Sequence, residues 1–210
     1  MTATAVKGRS TMALYSSDHS IHCHRVRFVL AEKGINVDII DVTNDESAAA
    51  DLAELNPYNE TPTLVDRDLL LHNAGVINDY LDERYPHPPL MPVDPVSRAR
   101  TRLALYRIQQ DWYELVPALE SKGEKMSAKA RKQLSDSLTS SAEVFAAKPF
   151  FLSDEFSLVD ALVTPIMWRL QKYRIDLPRQ AKAVSDYAER MFERESFQAS
   201  LSEAEREMRE

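Results

Sequence analysis

Only one cysteine, Cys23, occurs in 210 residues. No disulfide can close within the chain, and a reducing, cytoplasmic setting is expected. Glycine is scarce, with four residues, which disfavours a fold of many tight hairpins and favours a helix-rich one. No apolar run approaches the roughly 18 residues that a membrane-spanning helix needs. Residues 1–10 lack the apolar core of a secretory signal and read as a loose N-terminal arm. Positive charge is short as well: 26 Lys and Arg against 33 Asp and Glu leave a net charge of -7. A phosphate backbone is held by clustered cations, so direct nucleic-acid binding is not expected. Binding to another protein is left open.

Against these scarcities stands one local excess. Five of the eleven prolines fall in RYPHPPLMPVDP, residues 84–95. A flexible linker would be rich in Gly and Ser, whereas a proline-rich one is a semi-rigid spacer. Two readings of it stand side by side: a stiff hinge between domains, or a surface that a partner binds. Leu90 and Met91 are apolar where a pure spacer would be polar, and His87 sits between prolines with little local backbone to bond. Proline-flanked segments lose little entropy on binding, and this suits them to recognition.

The segment Thr11 to Ser17 alternates as a short strand. SIHCHRVRFVLAEKGI then reads as a helix, with Ser20 as its N-cap, Ile21, Val26, Val29 and Leu30 as its apolar face, and Gly34 past its end. Asn36 to Val42 is a second strand, parallel to the first through a right-handed crossover. A helix over 47–55, a hairpin turning at Asp66 to Asp68, and a helix over 73–85 complete the order β-α-β-α-β-β-α, which is that of the thioredoxin-like fold. From Pro95 onward only helices are expected, near 96–121 with a kink at Pro117, then 127–147, 157–172, 179–194 and 196–208. The first of these carries Leu103, Tyr106, Ile108 and Trp112. The expected division is an arm over 1–10, an α/β domain over 11–85, a linker over 86–95 and an all-α domain over 96–210.

His19, His22, Cys23 and His24 match no standard zinc spacing, and neighbours on a helix point apart, so no metal site is expected. Cys23 lies in the first turn of a helix, where the dipole favours a thiolate. The simpler reading is a small buried residue packing that helix. Arg25 and Arg27 read as a solvated face or as intrachain ion pairs. SEAEREMRE reads as a solvated charged helix with Glu and Arg spaced for i,i+3 and i,i+4 pairs. Trp112 and Trp168 read as core.

A thioredoxin-like domain, a proline-rich linker and an all-helical domain resemble the layout of the glutathione transferase superfamily. ETPTLV is similar to that family's strand opening on a cis-proline, here Pro62. The resemblance implies that Thr61 would meet the cysteinyl backbone of glutathione. FSLVDALVTPIMWRL resembles the family's helix-capping motif, with Ser157 as N-cap, Asp160 reaching back as a capping box, and Phe156 opening a hydrophobic staple against the small Ala161. Within the superfamily, LNPYNETPTLVDRDL, YLDERYPHPPLMPVDPV and FQASLSEAEREMR together resemble the stringent starvation protein A family, from about Leu14 to Arg209.

That resemblance implies a homodimer that associates with RNA polymerase holoenzyme and regulates transcription, with no cofactor and no catalytic residue. Carried over by position, the partner surface is Pro86, His87, Pro88, Pro89, Leu90 and Met91. Family members more often carry an aromatic where this chain has Asp94. Glutathione chemistry would use a hydroxyl near the first helix, here Ser16, Ser17 or Ser20. Ser20 lies five residues before Arg25, the spacing at which some superfamily members keep a catalytic Ser or Cys. It would also use an acidic or amide residue followed by Ser at the third helix. Here that pair reads Asn73-Ala74, and Ala74 brings no hydroxyl. Losing a hydrogen bond to a charged ligand group costs about 1.5–3 kcal/mol, or about 10- to 150-fold in affinity. The pocket of Ser16, Ser20, Thr61, Pro62, Asn73 and Ala74 is therefore read as vestigial. The alternative is an active glutathione-dependent transferase or isomerase using Ser16 or Ser20.

Overall fold

The computed structural model describes residues 11–209; the arm assigned to 1–10 lies outside the described residues. The chain divides into two compact units. The first comprises residues up to Pro88 together with Ser196–Glu207, and the second runs over Pro89–Glu195 with the residues after Glu207. The anticipated linker is thus cut between Pro88 and Pro89.

In the first unit, β1 (Ala13–Ser16), β2 (Asp38–Asp41), β3 (Thr63–Asp66) and β4 (Leu69–His72) form one mixed sheet in the order β2-β1-β3-β4. β1 pairs parallel to β2 and antiparallel to β3, and β4 closes the β3 hairpin. Every residue of β1 is buried, as a central strand covered on both faces should be. Helix α1 (Ile21–Glu32) starts where Ser20 Oγ accepts from the Cys23 N–H at 3.3 Å. It ends at Gly34, whose φ of 62° is the left-handed cap that glycine adopts without a Cβ clash. Helix α2 (Glu46–Leu55) is capped by Asp45 and stops at Asn56. Tyr15, Leu52 and Val65 form a core cluster, with Ile40, Val42, Leu55 and Leu70 against it. Helix α3 (Ala74–Arg84) completes the predicted β-α-β-α-β-β-α order.

The second unit is helical: α4 (Pro95–Asp111), α5 (Val116–Leu119), α6 (Glu124–Ser140), α7 (Ala142–Ala147), α8 (Leu158–Trp168) and α9 (Lys182–Phe192). All eleven residues of α8 are buried, which is what a helix apolar on every side requires. Its capping box forms as expected: Ser157 Oγ accepts from the Val159 N–H, and Asp160 Oδ2 accepts from the Ser157 N–H at 2.9 Å. Asp160 Oδ1 also accepts from the Phe151 N–H at 2.8 Å and the Tyr187 hydroxyl at 2.7 Å. Burial pushes the Asp160 carboxyl up, against these hydrogen bonds, which pull it down. Around it Phe145 meets Trp112, Phe151 and Tyr187, two of the three edge-on. The Phe156 ring lies under the Arg194 guanidinium at 4.6 Å and edge-on to Phe150.

Three helix expectations need correction. The helix placed at 96–121 ends at Asp111, because Trp112 turns inward and donates to Ser137 Oγ at 2.8 Å. Pro117 then sits in the first turn of α5, where its missing N–H costs nothing, so it makes no kink. On α4, Ile108 is buried, but Leu103 and Tyr106 are 59% and 63% exposed. The helix placed at 127–147 breaks at Ser141. There Ser140 and Ser141 hydroxyls donate to the Ser137 carbonyl and compete with the helix ladder.

The C-terminal segment departs most. It forms two short helices, α10 (Glu195–Ser200) and α11 (Glu203–Glu207), and residues 196–207 belong to the first unit rather than to the all-α domain. Glu205 is fully buried, not solvated, and its Oε2 meets Arg27 Nη2 at 2.5 Å. Arg25 and Arg27 are likewise buried, so the solvated-face reading is wrong for both and the ion-pair reading is right for Arg27. Phe197 packs edge-on against Phe28 of α1 with centroids 5.1 Å apart. Arg209 spans the faces of Trp168 and Phe192 at 4.8 and 4.6 Å.

Candidate functional site

The register of the sheet brings three of the six residues of the anticipated glutathione pocket to one end of the first unit. Tyr15 pairs with Thr63, and Thr63 with His72. The next residues outward are therefore Ser16, Pro62 and Asn73. The Thr61–Pro62 bond is cis. The loop before it is framed by Asn56, whose Nδ2 donates to Thr63 Oγ1 at 3.0 Å while Thr63 Oγ1 donates to the Glu60 carbonyl at 2.7 Å.

The hydroxyls at this end are already engaged. Ser16 is buried, and its Oγ accepts from Arg27 Nη1 at 2.7 Å. Ser20 Oγ is spent on the α1 cap. Ser17 Oγ accepts from Thr43 at 3.1 Å. At the start of α3, Asn73 Oδ1 accepts from the Gly75 and Val76 N–H groups at 2.9 and 3.4 Å. Asn73 thus caps the helix N-terminus with its own side chain. Ala74 is buried behind it. Arg25 lies close by, since a Cβ on Gly75 would stand 3.7 Å from its Nη2. Cys23 is fully buried, and its Sγ accepts from the Ser17 N–H at 3.3 Å, the geometry of a packing residue. Among the described residues no three His, Cys, Asp or Glu side chains gather as a metal site.

The proline segment splits in two. Pro86, His87, Pro88 and Pro89 are exposed, and the His87–Pro88 bond is cis. Leu90 and Met91, expected on the same surface, are 2% and 6% exposed. Their burial follows from their apolar chemistry and from backbone pairing, since the Leu90 carbonyl accepts from the Leu158 N–H at 2.9 Å. On the second unit a groove of about 610 Å³ continues from Leu90 and Met91 past Val93, Phe151, Leu152 and Phe156. Asp94, where the family more often has an aromatic, is exposed. Its Oδ2 accepts from the Ser97 N–H at 2.8 Å and caps α4, and those hydrogen bonds hold its carboxyl below the usual range.

Several residues that shape the first unit were given another role, or none, by the sequence reading. Glu205 forms a capping box with Ser202: the Glu205 N–H donates to Ser202 Oγ at 3.1 Å, and Glu205 Oε2 accepts from the Ser202 N–H at 3.0 Å. The S-x-x-E pattern in SEAE carried that signal. Ser200 Oγ donates to the Phe197 carbonyl and lies within hydrogen-bond distance of His24 Nε2 at 3.2 Å, and His24 Nδ1 faces Glu205 at 3.4 Å. Nothing local marks His24 as a partner of the C-terminal segment. Lys33 was likewise unmarked, yet its side chain is fully buried beneath the proline loop.

Comparison with known proteins agrees with this architecture. The N-terminal domain model of glutathione S-transferases matches residues 14–89, and the C-terminal domain model matches 97–195. A stringent starvation protein A homolog of Pasteurella multocida is 48% identical over 96% of this chain and 94% of its own. The Coxiella burnetii homolog is 48% identical over 96% and 97%. Among solved structures, the maleylacetoacetate isomerase of Anaeromyxobacter dehalogenans, with glutathione bound, superposes with a TM-score of 0.74 at 24% identity, over 91% of this chain and 94% of that one. At that identity the likeness is one of fold. The near-complete coverage at almost half identity places the chain in the stringent starvation protein A family, on the glutathione S-transferase fold.

Proposed function

We propose that this protein is a non-enzymatic transcription regulator that associates with RNA polymerase holoenzyme through its proline loop, in the cytoplasm and without a cofactor. The observation that carries the reading is the exposed run Pro86, His87, Pro88 and Pro89, followed directly in sequence by the buried Leu90 and Met91. A stiff protruding segment presents His87 at low entropic cost. The net charge of -7 gives the protein no general grip on DNA, so specificity resides in the polymerase complex. The exposed Leu103 and Tyr106 on α4, with Tyr58 exposed on the other unit, support a homodimer with an isologous interface.

A pull-down of bacterial RNA polymerase holoenzyme by the wild type and by the Pro86→Ala/His87→Ala/Pro89→Ala variant tests this. The wild type is expected to capture polymerase and the variant to fail while melting normally. Equal capture by both would overturn the loop's role, and capture by neither would overturn the polymerase reading.

The convergence of Ser16, Pro62 and Asn73 at one sheet end favours a second reading, a glutathione-dependent transferase or isomerase. Against it stand the self-capped Asn73, the missing hydroxyl at Ala74, and Ser16 tied to Arg27. Retention on immobilised glutathione, with turnover of a maleyl or halogenated substrate, would revive it.

A further inference from the structure

We propose that Lys33 is a positioning residue for the partner surface: its buried ammonium, bonded to the carbonyls of Tyr85 and Pro88 and to Asp82, holds the proline loop in the shape the partner reads. This rests on the loop being the docking surface. Lys33 Nζ donates to the Tyr85 carbonyl at 2.7 Å and the Pro88 carbonyl at 2.7 Å, and it meets Asp82 Oδ1 at 2.8 Å. An ammonium has three N–H donors, and here each has one acceptor.

The chemistry of the loop creates the need for this donor. Prolines at 86, 88 and 89 have no N–H, so between Tyr85 and Leu90 only His87 carries a backbone donor. The segment cannot close itself by turn hydrogen bonds, and the Tyr85 carbonyl lies past the end of α3 with no helical partner. Lys33, at the end of α1 and 52 and 55 residues away in sequence, supplies the missing donors at both ends of Tyr85–Pro88. Asp82 keeps the buried cation compensated one turn earlier in α3. If Lys33 served only to neutralise Asp82, one bond would suffice; two of its three go to the loop.

Three arms test the proposal. Lys33→Met/Asp82→Asn removes the donors and the buried charge together, so the fold is not left with an orphaned carboxylate. Its affinity for RNA polymerase holoenzyme is expected to drop about tenfold or more, as preorganisation is lost. In the same variant the His87 and Leu90 amides are expected to exchange with solvent at least about tenfold faster. Asp82→Asn alone keeps both carbonyl bonds and is expected to bind within about twofold of the wild type. Unchanged loop exchange in the double variant, or a loss in Asp82→Asn equal to the double, overturns the proposal. A readout without substitution stands beside these: the Lys33 ammonium should give a slowly exchanging ¹H–¹⁵N signal, and its absence also overturns the clamp. If the wild type does not bind polymerase, the docking reading fails by itself, and the exchange and ammonium signals still decide the clamp.

Discussion

Replacing Arg27 with methionine separates a structural C-terminal segment from a solvated one. Arg27 is 6% exposed, and Glu205 is not exposed at all. Beyond the ion pair, Arg27 donates to Ser16 Oγ at 2.7 Å and the Ser200 carbonyl at 2.9 Å. Methionine keeps most of the packing and removes every donor. Glu205 would then lose its guanidinium partner while keeping the Ser202 N–H and the more distant His24 nitrogen. Breaking a buried pair by deleting one partner costs about 3–5 kcal/mol, whereas an exposed pair is worth about 0–1 kcal/mol. In a chain of this size that converts to a fall of about 6–20 °C in Tm, against less than about 4 °C for a surface pair. The assay is calorimetric melting with urea denaturation, run on Arg27→Met, on Glu205→Gln and on Arg27→Met/Glu205→Gln. Removing both charges relieves the stranded carboxylate, so the double variant is expected to recover at least half of the loss. A single variant that loses under 1 kcal/mol, or a double variant that loses the sum of both singles, would refute the buried-pair argument.

Three further outcomes follow from the second unit. Ser157→Ala is expected to cost about 1 kcal/mol, the value of one N-cap. Asp160→Ala is expected to cost about 3 kcal/mol or more, because it strands the Phe151 and Ser157 N–H groups and the Tyr187 hydroxyl together; urea titration of both variants checks the ranking. The lowered Asp94 carboxyl predicts an acid dependence. Its folded value lies below the unfolded 3.8, so its contribution is present above about pH 4 and lost as pH falls through the folded value. Asp94→Asn keeps a capping oxygen but not the charge, and its Tm should fall less steeply between about pH 4.5 and 2.5 than the wild type's.

The thioredoxin-like unit was legible because its signals are local. Ser20 and Gly34 bracket α1 at either end, and Pro62 stands directly before β3. The cap of α8 was legible for the same reason, since Ser157 and Asp160 stand three residues apart. What was not legible is set by contacts across the chain. Trp112 stops α4 because its ring nitrogen finds Ser137, 25 residues on, and no helix propensity at 112 encodes that. Leu103 and Tyr106 have helical spacing and apolar chemistry, yet both face solvent; periodicity identifies an apolar stripe without saying what covers it. In the candidate site, the proline run advertised itself by composition, and its division into an exposed Pro86–Pro89 and a buried Leu90–Met91 needed the structure. Lys33 carried no signal at all, because a lysine closing a helix is what the dipole alone would favour.

The partnership of Arg27 with Glu205 bridges 178 positions of sequence, and this orders events at the ribosome. A nascent chain that has emerged as far as residue 88 carries the sheet and its helices but lacks residues 196–207, which complete that unit. Through the synthesis of more than a hundred further residues, Arg27 and His24 wait without their carboxylate. Such a long-range closure is slow to find and comes late. Translation that stops short of Glu205 therefore leaves Arg27 without its buried carboxylate in a chain whose sheet is already built.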